Sequence, residues 1–582
     1  LIVKSHLHRL GWCFLLCSAV VAGPAVVYAQ DADSAAEVVP IDVTDETVDA
    51  AAPDEQPSSA DETQAETMQE KVDRVFAAAN GYIAPVLFFD VTFGAIESKV
   101  TGEDGTQTTE TVGVPLLVAV LLLGGVFFTF RYGFVNFRLF GHSIAAIRGK
   151  YDDPNDRGEV THFQALTSAL SATVGLGNIA GVALAISGGG PGAVFWMWVV
   201  AVFGMSAKFS SCTLAQAYRR LSPKRGKKTG EHVLGGPMVY LSEGMKDVFG
   251  KAFGTPFGKL LAISFAFFTI MGAIGGGNMF QANQTFEIVS FVMLDGEKEF
   301  AWLAGIIMAI LVGLVIVGGI RRIGEVTSKI VPAMCVFYCA VCLVILVFNI
   351  AQLPGLFGSI FAEAFSIKAA GWGGVIGIMV TGIKRGCFSN EAGLGSAAIA
   401  HSAARTNEPV REGAVAMMGP FIDTICVCTM TALVILITKD QITPDMHERI
   451  NTISAGSYMR GAAQTGAAFE TLAGWLPYLL CIAVFVFAYS TMISWCYYGE
   501  RAAEYLLGDT GIWCFRVVFL SCVVLGPMVS LFNVIGFTDL LILSMAYPNI
   551  LGMIILSPKV AKMTKDYISR LKAGQFKTYT AK

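Results

Sequence analysis

The chain has 582 residues, 54% of them hydrophobic and only 15% charged, with a formal net charge of −4 at pH 7. A soluble domain carries roughly 25% charged residues, so composition excludes an ordinary soluble protein and gives an integral membrane protein. The net charge implies no nucleic-acid partner, because the acids gather at one end of the chain and the bases lie in loops.

In chain order, Lys4, His8 and Arg9 precede the apolar run Leu10 to Val27, and Val27-Tyr28-Ala29 offers small residues at a cleavage position. Residues 1–29 are therefore expected to be a signal peptide, or else an uncleaved extra helix. Residues 30–70 contain thirteen Asp or Glu and no Lys or Arg; they bury too little apolar surface to fold and read as a disordered acidic leader. Residues 71–112 read as an amphipathic helix near the interface, patterned by Val72, Val75, Phe76, Ile83, Val86 and Leu87, and then a polar insertion from Glu97 to Thr111. A membrane domain is expected over 113–556 and a basic cytoplasmic tail over 557–582.

Within that domain, apolar runs of about 20 residues, enough to span a ~30 Å hydrocarbon core, recur eleven times. They fall near 113–131, 161–187, 190–218, 259–288, 301–319, 327–350, 374–400, 412–438, 468–497, 511–532 and 536–556. Cytoplasmic loops carry the Lys and Arg. Bases follow the first span (Arg131, Arg138, Arg148, Lys150, Arg157), the third (Arg219, Arg220, Lys224, Arg225, Lys227, Lys228), the fifth, seventh and eleventh, with Arg501 giving weaker support after the ninth. The N-terminus is then extracytoplasmic and the C-terminus cytoplasmic. Thirteen cysteines, among them Cys335, Cys339, Cys342, Cys426 and Cys428, lie scattered in apolar runs; they read as buried small hydrophobes rather than metal or disulfide pairs.

Two spans place glycines and uncompensated polar residues inside apolar sequence: Ser171 to Trp198, and Lys384 to Ala400. Setting the first span aside as peripheral, these open the first and sixth of ten core helices. Each heads a five-helix half, and five is odd, so the halves have opposite topology. An all-α polytopic protein of about eleven helices results, one peripheral plus a 5+5 inverted repeat with broken first and sixth core helices, the architecture of many secondary transporters. Two inverted halves argue against a channel built by oligomeric repetition. No Gly-x4-Gly-Lys-Ser/Thr loop supports a pump, and no HExxH or Gly-x-Ser-x-Gly supports an enzyme.

The run FQALTSALSATVGLGNIAGVALAISGGGPGAVFWMW, then GGGNMFQANQ at Gly275 to Gln284, then KRGCFSNEAGLGSAAIAHSAA, and FAYSTMISWCYYGERA at Phe487 to Ala502 together resemble the alanine/glycine:cation symporter family, over about 115–556. The resemblance implies a leucine-transporter type fold in the plasma membrane (the bacterial inner membrane). It implies secondary active symport of a small neutral amino acid, alanine or glycine, into the cell by alternating access, with co-transported sodium. Proton coupling or a broader range of small neutral amino acids is the alternative. The signal-like segment, the acidic leader and the insertion are additions to the family pattern. Ser211 is a departure, since the family commonly shows a Glu three residues after a Lys such as Lys208.

An amino-acid carboxylate needs free backbone N–H groups and a positive helix end, which unwound segments at Val174 to Asn178 and Asn390 to Ser396 can supply. Substrate contacts are therefore expected from Gly175, Gly177, Asn178, Gln281, Asn390 and Gly393, with Phe280 or Trp495 closing a small apolar pocket. For each Asn or Gln the competing reading is interhelical glue. Sodium prefers neutral oxygens; by position in the resembling fold, Ser490, Thr491 and the carbonyl of Phe487 face carbonyls near Thr173, unless those hydroxyls bond back to their own helix. Lys384, Arg385, Glu391, Asp423 and Lys208 are charges inside spans and need partners. Lys384, Arg385 and Glu391 are expected to form a gate or to orient the unwound turn, with Asp423 pairing with one of them; structural ion pairing competes with proton coupling. No catalytic residue is expected, and the oligomeric state is left open.

Overall fold

A computed structural model describes residues 68–579 except 96, 102–106, 112, 154, 224–230, 295–297, 318, 367–370 and 454–460. The signal-peptide segment and nearly all of the acidic leader lie outside the described residues. The chain divides into two units at Glu70 and Lys71; of the first, only the opening turn of a helix, Met68–Glu70, is described. All that follows concerns the second.

Helix α1 (Met68–Leu87) occupies the expected amphipathic segment, with Pro85 in its last turn. The polar insertion is not an irregular loop: β1 (Glu97–Thr101) pairs antiparallel with β2 (Gln107–Thr111), Glu97 opposite Thr111. Its strands are rich in β-branched residues, which favour a pleated ribbon. At the base of this hairpin Asp90 accepts hydrogen bonds from the backbone N–H groups of Thr92 and Val114, at 2.9 and 2.8 Å. The Thr92 hydroxyl and these N–H groups hold its carboxyl down at about 2.

The apolar segments then form α2 (Leu116–Arg131), α4 (His162–Thr173) and α5 (Ala180–Gly189) around the first break, α6 (Gly192–Tyr218), α7 (Pro237–Ile274) and α8 (Phe280–Met293). Between α2 and α4 lies the short α3 (Phe140–Ile147). Helix α4 (His162–Thr173) starts on a capping box: the Thr161 hydroxyl accepts from Gln164 N–H and the Gln164 side chain accepts from Thr161 N–H. It meets α5 (Ala180–Gly189) at a bend of 58°. Helix α7 kinks at Gly250 (φ 72°) and passes into α8 through a π-turn, Gly275–Met279.

Next come α9 (Ala301–Ile316), α10 (Gly319–Phe348), α11 (Leu353–Glu363) and α12 (Gly371–Asn390). A second break separates α12 from α13 (Ala397–His401). Helix α14 (Pro409–Ala416) leads through a π-stretch, Phe421–Cys428, into α15 (Thr429–Thr438). The remaining helices are α16 (Pro444–Ile453), α17 (Ala462–Glu470), α18 (Leu476–Leu507), α19 (Asp509–Leu525), α20 (Leu531–Ser544) and α21 (Ala546–Lys572).

By length and apolar composition, seven helices among the described residues can cross a membrane, or eight when the bent pair α4–α5 counts as one. Helices α2 and α9 are apolar but only 16 residues long. Helix α12 has 20 residues, and its glycines with Lys384 and Arg385 dilute its apolar character. These three stand at the first, fifth and seventh of the eleven expected positions. Helix α6 packs on α12, α14 and α2, while α18 packs on α7, α8, α10 and α4. Both broken helices thus lie against long unbroken ones. The described cysteines are free, and Cys212, Cys342, Cys387, Cys428, Cys481 and Cys496 are buried.

Candidate functional site

The first break begins where Val174 leaves the helical region and Gly175 takes φ −137°, ψ −147°. Asn178 closes the turn from within: its Oδ1 accepts from Gly175 N–H at 3.0 Å, and its Nδ2 donates to Asp423 Oδ1 at 2.6 Å. Gln281, reaching over from α8, accepts from Leu176 N–H at 3.2 Å and donates to the Gly276 carbonyl at 2.8 Å. On the third side, Thr491 Oγ1 donates to the Ser171 carbonyl at 2.9 Å, while the Ser171 hydroxyl donates to the Ser490 carbonyl at 2.7 Å. Gly175 is where these meet. A Cβ there would overlap the Thr491 hydroxyl and stand 3.2 Å from Gln281 Oε1.

The second break turns through three residues with positive φ: Glu391 (54°), Gly393 (85°) and Gly395 (93°). Only glycine adopts such angles without strain, so Glu391 must be held by its neighbours. Its carboxylate accepts from the Ser396 hydroxyl and from Trp495 Nε1, the latter at 3.0 Å. Lys208 Nζ donates to the Asn390 carbonyl at 3.0 Å, placing a cation where the C-terminal carbonyls of α12 need donors and the helix dipole is negative. Asn549 Nδ2 donates to the Gly393 carbonyl at 2.8 Å.

Asp423 joins the two breaks. Besides Asn178 it accepts from the Ser389 hydroxyl at the end of α12 and from the neighbouring Thr424 hydroxyl, both at 2.8 Å. Asn178, Gln281, Ser389, Asn390, Asp423 and Thr424 are all buried. A carboxylate held by neutral donors in this way meets the requirement that buried polar groups be paired.

The ends of α4 and α13 remote from the breaks are also tied together. His162, the first residue of α4, and His401, the last of α13, both present Nδ1 to the buried Glu412 carboxylate, His401 at 2.5 Å. A carboxylate only accepts, so both imidazoles donate from Nδ1. Beside them, Glu159 N–H donates to the Ala403 carbonyl (2.8 Å) and Arg405 N–H to the Val160 carbonyl (2.7 Å). Arg219 donates to the carbonyls of Ser402, Thr406 and Arg157 at 3.0, 2.7 and 2.7 Å.

A profile of the sodium:alanine symporter family matches residues 103–581. The chain belongs to the sodium:alanine symporter family. The sodium/alanine symporter AgcS of Methanococcus maripaludis is 41% identical over 78% of this chain and 94% of its own. The amino-acid carrier protein AlsT of Bacillus subtilis is 34% identical over 79% of this chain and 91% of its own. Among solved structures, MhsT in complex with L-phenylalanine matches 70% of this chain and 99% of its own at 15% identity and a TM-score of 0.40, too low to carry an argument. As a sodium:alanine symporter family member, the chain is an integral membrane transporter and not an enzyme.

Several expected site residues of this symporter chain converge, namely Gly175, Asn178, Gln281 and Thr491 at the first break. Gly177 packs on the α12 end, a Cβ there falling 3.2 Å from Ser389 Cα. Phe280 meets Phe388 edge-on at 5.2 Å, and Trp495 lies against Gly277, where a Cβ would overlap the indole.

Other expectations need correcting. Asp423 forms no ion pair with Lys384 or Arg385: both face Asp539 of α20, Arg385 by a hydrogen bond and Lys384 at 3.6 Å. The reason is position, since their turn of α12 faces α20, whereas Asp423 faces the α12 end. The Ser490 hydroxyl bonds back to Phe487 O at 3.0 Å, the alternative given for these hydroxyls, whereas Thr491 does face a carbonyl near Thr173, that of Ser171 at 2.9 Å. Asn390 closes the second break as Asn178 closes the first: its Nδ2 donates to Thr424 Oγ1 (3.1 Å) and its Oδ1 accepts from Ala392 N–H (2.9 Å).

Ser171, Ser389, Thr424 and the His162–Glu412–His401 cluster were not foreseen. Asp539 was within reach, being an acid inside an expected span.

Proposed function

We propose that the chain imports a small neutral amino acid, alanine or glycine, driven by an inward sodium gradient. The observation that carries this reading is the Gly175–Leu176 backbone held by the side chains of Gln281 and Asn178. Such bonds are exchangeable: a substrate carboxylate takes the N–H groups while Gln281 turns to the ammonium, and no charged side chain is displaced. The oxygens of Thr491, Ser171 and Ser490 between α4 and α18 form the neutral set that suits sodium. Trp495, packed on Gly277, and Phe280, packed on Phe388, are the aromatics that would close such a site around a small side chain.

In this reading all eleven apolar segments cross the plasma membrane, the ten after α2 forming two inverted halves that open by alternating access. The basic loops face the cytoplasm, with the N-terminus extracytoplasmic. Protein reconstituted in liposomes is expected to accumulate radiolabelled alanine or glycine only under an inward sodium gradient. Accumulation that persists when choline replaces sodium refutes the coupling, and uptake driven equally by an imposed proton gradient replaces sodium with protons.

A further inference from the structure

A groove of about 510 Å³ runs between the end of α2 and the last turns of α21, and four bases line it: Arg131, Arg138, Lys565 and Lys572. Among the described residues, no Asp or Glu lines it. Among the described residues Arg131, Lys565 and Lys572 have no hydrogen-bonded or ion-pair partner, and Arg138 reaches only the Gly133 carbonyl at 3.3 Å. The nearby acids are committed elsewhere: Asp566 accepts from Arg570 at 2.9 Å, and Glu408 accepts from the same guanidinium at 2.7 and 2.8 Å. Four like charges gathered around an open space repel one another unless an anion sits among them.

The surroundings say which anion. Gly133 and Phe134 both have positive φ, 62° and 57°, so the chain turns sharply at the end of α2. That turn leaves Phe130, Phe134 and Phe137 exposed at 63%, 43% and 65%. Leu123 and Phe127 continue the exposed apolar face up α2. Bases beside exposed aromatics at the end of an apolar helix match the headgroup level of a bilayer. A soluble anion has no use for the aromatic rim, whereas an acyl chain lies along it.

We propose that this groove binds the phosphate headgroup of an anionic phospholipid, with the acyl chains laid along the exposed face of α2. The proposal rests on α2 lying in the membrane and is independent of what is transported. The bound lipid pins α2 to α21, which already touch where Gly124 meets Ile550.

The test uses full-length protein in detergent, with lipid adducts resolved by native mass spectrometry. The probes are phosphatidylglycerol, phosphatidylcholine and inorganic phosphate. The unmodified protein is expected to retain phosphatidylglycerol in preference to phosphatidylcholine, and millimolar phosphate should not displace it. A base beside an anionic surface contributes about fivefold, so the triple variant Arg131→Gln, Lys565→Gln, Lys572→Gln should lose about a hundredfold of that preference. Lys562→Gln, on the same helix but outside the groove, should lose none. Equal retention of the two lipids by unmodified protein overturns the proposal, whether or not the triple variant folds. So does a folded triple variant that keeps the preference. Displacement by phosphate makes the groove a soluble-anion site and overturns the lipid assignment.

Discussion

The two breaks solve the same problem in different ways. At the first, backbone N–H groups are satisfied by side chains from another helix and from within the turn, Gln281 and Asn178, while Thr491 donates to the Ser171 carbonyl. At the second, Asn390 likewise accepts from a backbone N–H within the turn, but the rest of the backbone is fixed by positive-φ residues, by Asn549 and by Lys208. In the proposed reading the first holds groups that a ligand can borrow, while the second chiefly sets where the end of α12 stands.

This contrast can be broken or sharpened by substitution. The largest effect is expected from Gly175→Ala, whose methyl must displace the Thr491 hydroxyl and crowd Gln281. Uptake should fall more than about a hundredfold, as overpacking of a closed site predicts, while the protein still elutes as a folded species. Gln281→Ala strands Leu176 N–H and the Gly276 carbonyl. At roughly 1–3 kcal/mol for an unpaired buried group, KM for alanine should rise about tenfold in uptake assays, with sodium half-saturation little changed.

Thr491→Ala removes one oxygen between α4 and α18, a loss of ~1 kcal/mol. It should raise the half-saturating sodium concentration about fivefold; a sodium titration that superimposes on the parent's would remove Thr491 from the ion's path. The smallest effect on transport is expected from Asn549→Ala, which loosens the second break. Its thermal midpoint should drop by roughly 2–4 °C with KM unchanged. If instead its KM rises as far as that of Gln281→Ala, the second break also handles substrate and the contrast drawn above fails.

Much of this was legible in the residues. Glycines with Asn or Gln in an apolar run identify both breaks, and GGGNMFQANQ identifies the helix that answers the first. These signals are local, because a helix that cannot continue shows in its own sequence. Partner choice is not local. Lys384 and Arg385 lie eight and seven residues before Ala392, on the helix whose end meets Asp423, yet the rotation of α12 turns them to Asp539. Ser171 and Thr173 are two apart, and helical phase alone decides that Ser171 meets α18. The insertion at 97–111 is polar in composition, and its β-branched residues also encode a hairpin.

Glu412 has a mechanical consequence. Because His162 and His401 grip one carboxylate, the far ends of the two interrupted helices share a single rivet. Neither end can then shift relative to the other without breaking a hydrogen bond to Glu412, and under the proposed alternating access the two would have to move together.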